Sequence, residues 1–114
     1  MPVTVFGIPN CDTVKKARAW LAERGVDYAF HDYKKSGVDA DNLADWTQRF
    51  GWEKVLNRSG TTFKKLPDDV KVDLDAAKAI AIMTENPSAI KRPIVIYDGG
   101  ALLGFNAAEW EKAL

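Results

Sequence analysis

The stretch VTVFGIPNCDTVKKARAWLAERGVDYAFHD, residues 3–32, decides the architecture. Val3 to Phe6 is β-branched and aromatic, which reads as a strand, and Gly7, Pro9 and Asn10 then punctuate it as a turn. From Asp12 the period changes. Val14, Ala17 and Leu21 recur at helical spacing with Trp20 beside them, Lys15, Lys16, Arg18 and Glu23 fall elsewhere, and Gly25 supplies a stop. Val26 to Asp32 alternates and contains Tyr28 and Phe30, the pattern of a second strand. A strand, a helix and a strand within about 30 residues make a βαβ unit, which implies parallel strands joined by a right-handed crossover.

The middle of the chain differs in kind. DADNLADWTQRFG, residues 39–51, places Leu43, Trp46 and Phe50 on helical spacing, with Asp39 or Asp41 as cap and Gly51 as the end. GWEKVLNRSGTTFKKLP reads as short helical pieces around Gly60, closed by Pro67, and DLDAAKAIAIMTENP as a helix around Ile80, Ile82 and Met83 that stops near Asn86-Pro87. IKRPIVIYDGGALLGF then reads as a hairpin: Ile94 to Tyr97, a turn at Asp98-Gly99-Gly100, and a return over Ala101 to Gly104. NAAEWEKAL closes as a helix capped by Asn106, with Glu109 at the capping-box position. The expected fold is one α/β domain over residues 1–114, ordered β-α-β, helices, β-β-α, with a helical insertion at about 39–87.

Composition limits function. At 114 residues, 46% hydrophobic and 28% charged, the chain has apolar content for one core, and sixteen basic residues balance sixteen acidic ones. No global field therefore favours nucleic acid or an anionic membrane. A single cysteine forms no internal disulfide and fits a reducing compartment. MPVTVFGIPN does not read as a signal peptide, and no apolar run approaches the roughly 18 residues of a membrane span, so the expected compartment is the cytoplasm.

Cys11, at the predicted helix start, carries the chemistry. Unpaired backbone N–H groups and the positive end of the helix dipole favour a thiolate there, and Lys15 and Lys16 add positive charge, while Asp12 opposes it. The alternative is a buried filler, as lone cysteines often are. Val14 stands three residues on, so there is no C-x-x-C and no resolving thiol. A phosphatase-type loop needs an arginine six positions after its cysteine, where this chain has Ala17. One His and one Cys are too few for a zinc site, so no metal is expected. His31 reads as a surface or strand-packing residue rather than a catalytic one, and Trp20, Trp46, Trp52 and Trp110 as packing aromatics. Arg58 lies in a loop, where a surface charge is the default reading; Arg92 precedes Pro93 at the start of a strand, an X-Pro turn able to present its side chain to a site.

Three separated segments agree in order and spacing with a known family. PNCDTVKKA after a first strand, LNRSG in a helical insertion and RPIVIYDGGALLGF near the end resemble the ArsC/Spx family of thioredoxin-like proteins, with GIPNCDTVKKARAWL most similar to its YffB-type branch. The resemblance implies a thioredoxin-like mixed sheet and Cys11 as redox nucleophile. In the family's arsenate reductases a cysteine here attacks arsenate and three arginines hold the oxyanion. Two carry over, onto Arg58 and Arg92, but Leu103-Gly104-Phe105-Asn106 has no third arginine, and Gly7 stands where those enzymes have a histidine.

The expected activity is a glutathione-dependent thiol–disulfide oxidoreductase with no bound cofactor. Cys11 forms a mixed disulfide, and glutathione or a glutaredoxin resolves it. Arg58 and Arg92 hold a carboxylate, Pro93 orients the facing backbone, and Asn10, Thr13 and Lys15 line the helix start, with Thr13 a hydrogen-bond partner for the sulfur. One alternative is a glutaredoxin-coupled arsenate reductase. The other is an Spx-like regulator that contacts RNA polymerase, although Val14 removes the C-x-x-C switch of Spx.

Overall fold

A computed structural model describes residues 3–114; Met1 and Pro2, the first two residues of the segment read as lacking a signal peptide, lie outside the described residues. The chain divides into two compact units, one formed by the residues up to Ser36 together with Arg92–Leu114, the other by Gly37–Lys91.

The first unit holds the sheet. Its elements are β1 (Thr4–Gly7), α1 (Asp12–Glu23), β2 (Ala29–Asp32), the single turn α2 (Tyr33–Ser36), then β3 (Ile94–Tyr97), β4 (Gly100–Leu103) and, at the C-terminal end, a helix over Ala107–Ala113. Spatial order is β2-β1-β3-β4. β1 pairs with β2 in parallel, as the βαβ reading requires, and β1–β3 and β3–β4 are antiparallel. Val3, Val5 and Val95 on one face of the sheet meet Ala17 and Leu21 of α1 and Trp110 of the last helix in one buried cluster. Trp110 is fully buried and donates its indole N–H to the Gly104 carbonyl at 3.1 Å. Trp20 and Phe105 pack edge-on against it, with centroids 5.7 and 4.9 Å away.

The second unit is helical: α3 (Ala40–Phe50), α4 (Trp52–Val55), α5 (Thr61–Lys64) and α6 (Ala76–Glu85), with 3-10 turns at Asp68–Val70 and Pro87–Ala89. The C-terminal helix Ala107–Ala113 is thus α7. α3 packs on α4 and α6, burying Leu43, Trp46, Val55, Ala79, Ile82 and Met83. Asp39 caps α3 by accepting from the Asp41 N–H at 3.4 Å, and Asp75 caps α6 by accepting from the Lys78 N–H at 2.8 Å. Of the two caps considered for α3, Asp39 is the one used.

Several boundaries depart from expectation, among them β4, which spans Gly100–Leu103 where the return was read over Ala101 to Gly104. β2 begins at Ala29 rather than Val26. The Val26 N–H bonds back to the Leu21 carbonyl at 3.0 Å and the Gly25 N–H to Ala22 at 3.1 Å, with Gly25 at φ 68°. That pair of bonds is a Schellman closure of α1, so the backbone of Val26 is committed to the helix end. β1 runs through Gly7, which pairs with Asp32 instead of opening the turn. Tyr33–Ser36 forms an extra helical turn, in which the Asp32 carboxylate accepts from the Lys34 and Lys35 N–H groups at 2.9 and 3.3 Å.

Candidate active site around Cys11

The site is assembled where β1 gives way to α1. Ile8 is buried and Pro9 and Asn10 are exposed, so the turn surfaces just before the cysteine. Cys11 is the N-cap residue, with extended backbone (φ −139°, ψ 126°), and its carbonyl accepts the first helical bond from the Lys15 N–H at 2.9 Å. Its side chain is partly exposed and makes no full capping bond. From across the sheet, Arg92 donates its Nε–H to Cys11 Sγ at 3.4 Å. Two elements far apart in sequence therefore meet at one sulfur.

The electrostatics follow from this arrangement. Partial burial pushes the Cys11 thiol up, but the Val14 N–H, the Arg92 hydrogen bond and charge, and the Thr13 N–H together outweigh it, and the net shift is downward. These are the orphan N–H groups of a helix start turned toward a sulfur, with a guanidinium added. The neighbouring carboxylate of Asp12 does not reverse that direction.

The Arg92-Pro93 peptide bond is cis, Pro93 is buried, and its carbonyl accepts from the Gly104 N–H at 2.8 Å just beyond β4. Tyr33 is fully buried at the end of β2; burial drives its phenol far up, with the charge of Arg92 pulling the other way. Gly7, at the end of β1, has Val14 Cγ2 at 3.0 Å and Arg92 Cβ at 3.9 Å from the point a Cβ would occupy.

The predicted residues are distributed as follows. Asn10, Cys11, Thr13, Lys15, Arg92 and Pro93 belong to the first unit, and Arg58 to the second. Thr13 acts on the sulfur through its backbone N–H, and its side chain is exposed, as are those of Asn10 and Lys15. Arg58 is exposed in a turn where the Ser59 N–H donates to Asn57 Oδ1 at 3.3 Å; its guanidinium lies 5.4 Å from the centroid of the Trp52 ring. His31 packs on Phe6 with ring centroids 4.9 Å apart, a cross-strand pair of β1 and β2. Among the described residues no three His, Cys, Asp or Glu side chains group as a metal site, and no helix is long and apolar enough to cross a membrane.

Gly7 and Val14 were read against the site only for what they lack, a histidine and a resolving thiol, and Tyr33, which feels the charge of Arg92, was not singled out at all. Gly7 read as turn punctuation and Val14 as a core position, which it also is. Tyr33 follows the last residue of β2 and opens a helical turn that the sequence reading did not include.

Similar proteins place the chain in a family. A protein named YffB shares 50% identity, each chain covering 98% of the other, with a TM-score of 0.96. An arsenate reductase (ArsC) related protein from Brucella melitensis is 52% identical over 98% of this chain and 93% of its own, with a TM-score of 0.77. Among curated sequences, the global transcriptional regulator Spx of Streptococcus pyogenes is 34% identical over 94% of this chain and 81% of its own length. The family model described as the ArsC family matches residues 6–113. With its thioredoxin-like mixed sheet, and a match that spans almost its whole length, the chain belongs to the ArsC family.

Proposed function

We propose that this protein is a glutathione-dependent thiol–disulfide oxidoreductase in which Cys11 is the nucleophile. The observation that carries the reading is the Arg92 Nε–H donated to Cys11 Sγ at 3.4 Å, at the start of a twelve-residue helix. A thiolate held in this way attacks one sulfur of a disulfide. A Cys11–sulfur bond forms, the old S–S bond breaks, and its electron pair leaves with the departing thiolate. The chain has one cysteine, so the mixed disulfide waits for a thiol from outside. Glutathione or a glutaredoxin attacks it, takes the substrate or glutathionyl group, and returns Cys11 as thiolate. Each turn moves two electrons from the incoming thiol to the substrate disulfide.

Lys15, Thr13 and Asn10 line the helix start where a glutathione would lie, and Pro93 holds the facing backbone. Arg92 is assigned to an anion as well as to the sulfur, because a guanidinium offers several donors in one plane. Arg58 is assigned to a carboxylate on the motif resemblance. Arsenate as the oxidised substrate is less favoured. No arginine occurs between Leu103 and Asn106, and a side chain at position 7 would meet Val14.

The test is to incubate the protein with oxidised glutathione and with a glutathionylated peptide, and to weigh the intact chain. The expected result is one glutathionyl adduct on Cys11, removed by reduced glutathione or glutaredoxin, with turnover lost in Cys11→Ser. Absence of an adduct overturns the reading. Arsenate-dependent turnover under the same conditions would replace it with the arsenate reductase. The 34% identity to Spx regulators favours a second reading as a binding protein. Co-purification of RNA polymerase subunits that survives Cys11→Ser would establish that one.

A further inference from the structure

We propose that Gly7 is a positioning residue for the thiolate: the missing side chain at the end of β1 lets the first turn of α1 close on the sulfur of Cys11. The inference rests on the redox reading of Cys11 given above. Gly7 lies in a regular strand, paired with Asp32, and its φ is not in the left-handed region, so its backbone does not require glycine. The space around it does. A Cβ built there falls 3.0 Å from Val14 Cγ2, so Val14 would have to give by a few tenths of an ångström.

Val14 has little freedom to give. It is fully buried, and a β-branched side chain inside a helix is held to essentially one χ1 rotamer. Relief then comes from widening the gap between β1 and the first turn of α1. That turn carries the Val14 and Thr13 N–H groups that favour the ionised sulfur. The same Cβ would stand 3.9 Å from Arg92 Cβ, in ordinary contact with the residue that donates to Sγ from the other side. An alanine at position 7 thus acts on the sulfur through the groups that hold it.

The experiment is the apparent pKa of Cys11, read from the pH profile of its alkylation, in the parent protein, Gly7→Ala, Val14→Ala and the double variant G7A/V14A. Gly7→Ala is expected to raise the pKa by about half a unit or more, roughly a threefold change in the thiol–thiolate equilibrium. Val14→Ala keeps the backbone N–H and removes the obstructing methyl groups. The double variant is therefore expected to return to the value of Val14→Ala alone, a coupling that general loosening of the fold does not produce. An unchanged pKa in Gly7→Ala overturns the proposal, as does a raised pKa that Val14→Ala fails to restore. If Gly7→Ala does not fold, the double variant decides. Folding with the pKa of Val14→Ala supports the contact, and failure to fold, or a raised pKa, overturns it. A parent protein whose pKa is not lowered at all instead contradicts the redox reading, so the two failures are separable.

Discussion

Arg92 ties the two halves of the site together, because the only cysteine lies on the first helix and its side-chain donor lies at the start of β3. Removing the guanidinium removes both a charge-assisted hydrogen bond and a nearby positive charge. Arg92→Ala is therefore expected to raise the Cys11 pKa and to slow mixed-disulfide formation at neutral pH by roughly tenfold, the effect of a hydrogen bond to a charged group. Arg92→Lys keeps a charge without the planar fork and should fall between the two. Alkylation profiles of the three proteins check the order. The same shift has a stability consequence. A thiol lowered in the folded state stabilises it above the unfolded thiol value of about 8.5, and that stabilisation is lost as pH falls through the lowered folded value. Urea unfolding of the parent and of Cys11→Ser across this range should show their difference growing in favour of the parent as pH rises. A difference independent of pH contradicts it.

Secondary-structure elements answer to their caps. Asp75 accepts from the Lys78 N–H at 2.8 Å, whereas Asp39 accepts from Asp41 at 3.4 Å. Asp75→Ala is expected to cost about 1 kcal/mol of stability and Asp39→Ala clearly less, measured by urea denaturation. The caps of α3 and α7 were readable because they are local: Asp39 and Gly51 around α3, and Asn106, which accepts from the Glu109 N–H at 3.1 Å, for α7; Asp75 was not read as a cap. The hairpin was readable from Asp98-Gly99-Gly100 for the same reason, although Gly100 is already the first residue of β4 and pairs with Tyr97. Where sequence and structure part, a competing local bond is responsible. Tyr28 and Val26 have strand propensity, yet Val26 closes α1, and the Tyr28 hydroxyl accepts from Arg18 Nε at 2.9 Å before pairing starts at Ala29. The site was only half readable. A helix start marks Cys11, but the approach of Arg92 and the packing of Gly7 on Val14 are products of strand pairing and helix docking, with no spacing rule to announce them.

At the scale of the first unit, stability rests on one aromatic cluster and on a buried phenol. Trp110 is fully enclosed between Trp20 and Phe105, and Trp110→Ala is expected to cost about 3–5 kcal/mol, a large share of an ordinary domain's stability, read as a fall in the urea midpoint. Tyr33 contributes to the loss of stability at alkaline pH. Its phenol is raised by burial, so the folded state loses stability as pH climbs above the unfolded tyrosine value of about 10, where the unfolded chain ionises and the folded one does not. Tyr33→Phe should flatten that decline in unfolding experiments above about pH 10, and an unchanged slope assigns the alkaline loss to other groups. Charge balance across the chain leaves no global field to draw an anion in, so an anion at Cys11 would depend on the local set of Lys15, Arg92 and the helix start.

The measurement that bears most directly on the central claim is the pH dependence of Cys11 alkylation with and without glutathione. An apparent pKa well below about 8.5, with protection by glutathione, is the predicted result and marks an activated thiolate in an anion site. A pKa at or above that value with no protection contradicts it, and leaves Cys11 a helix cap without redox chemistry.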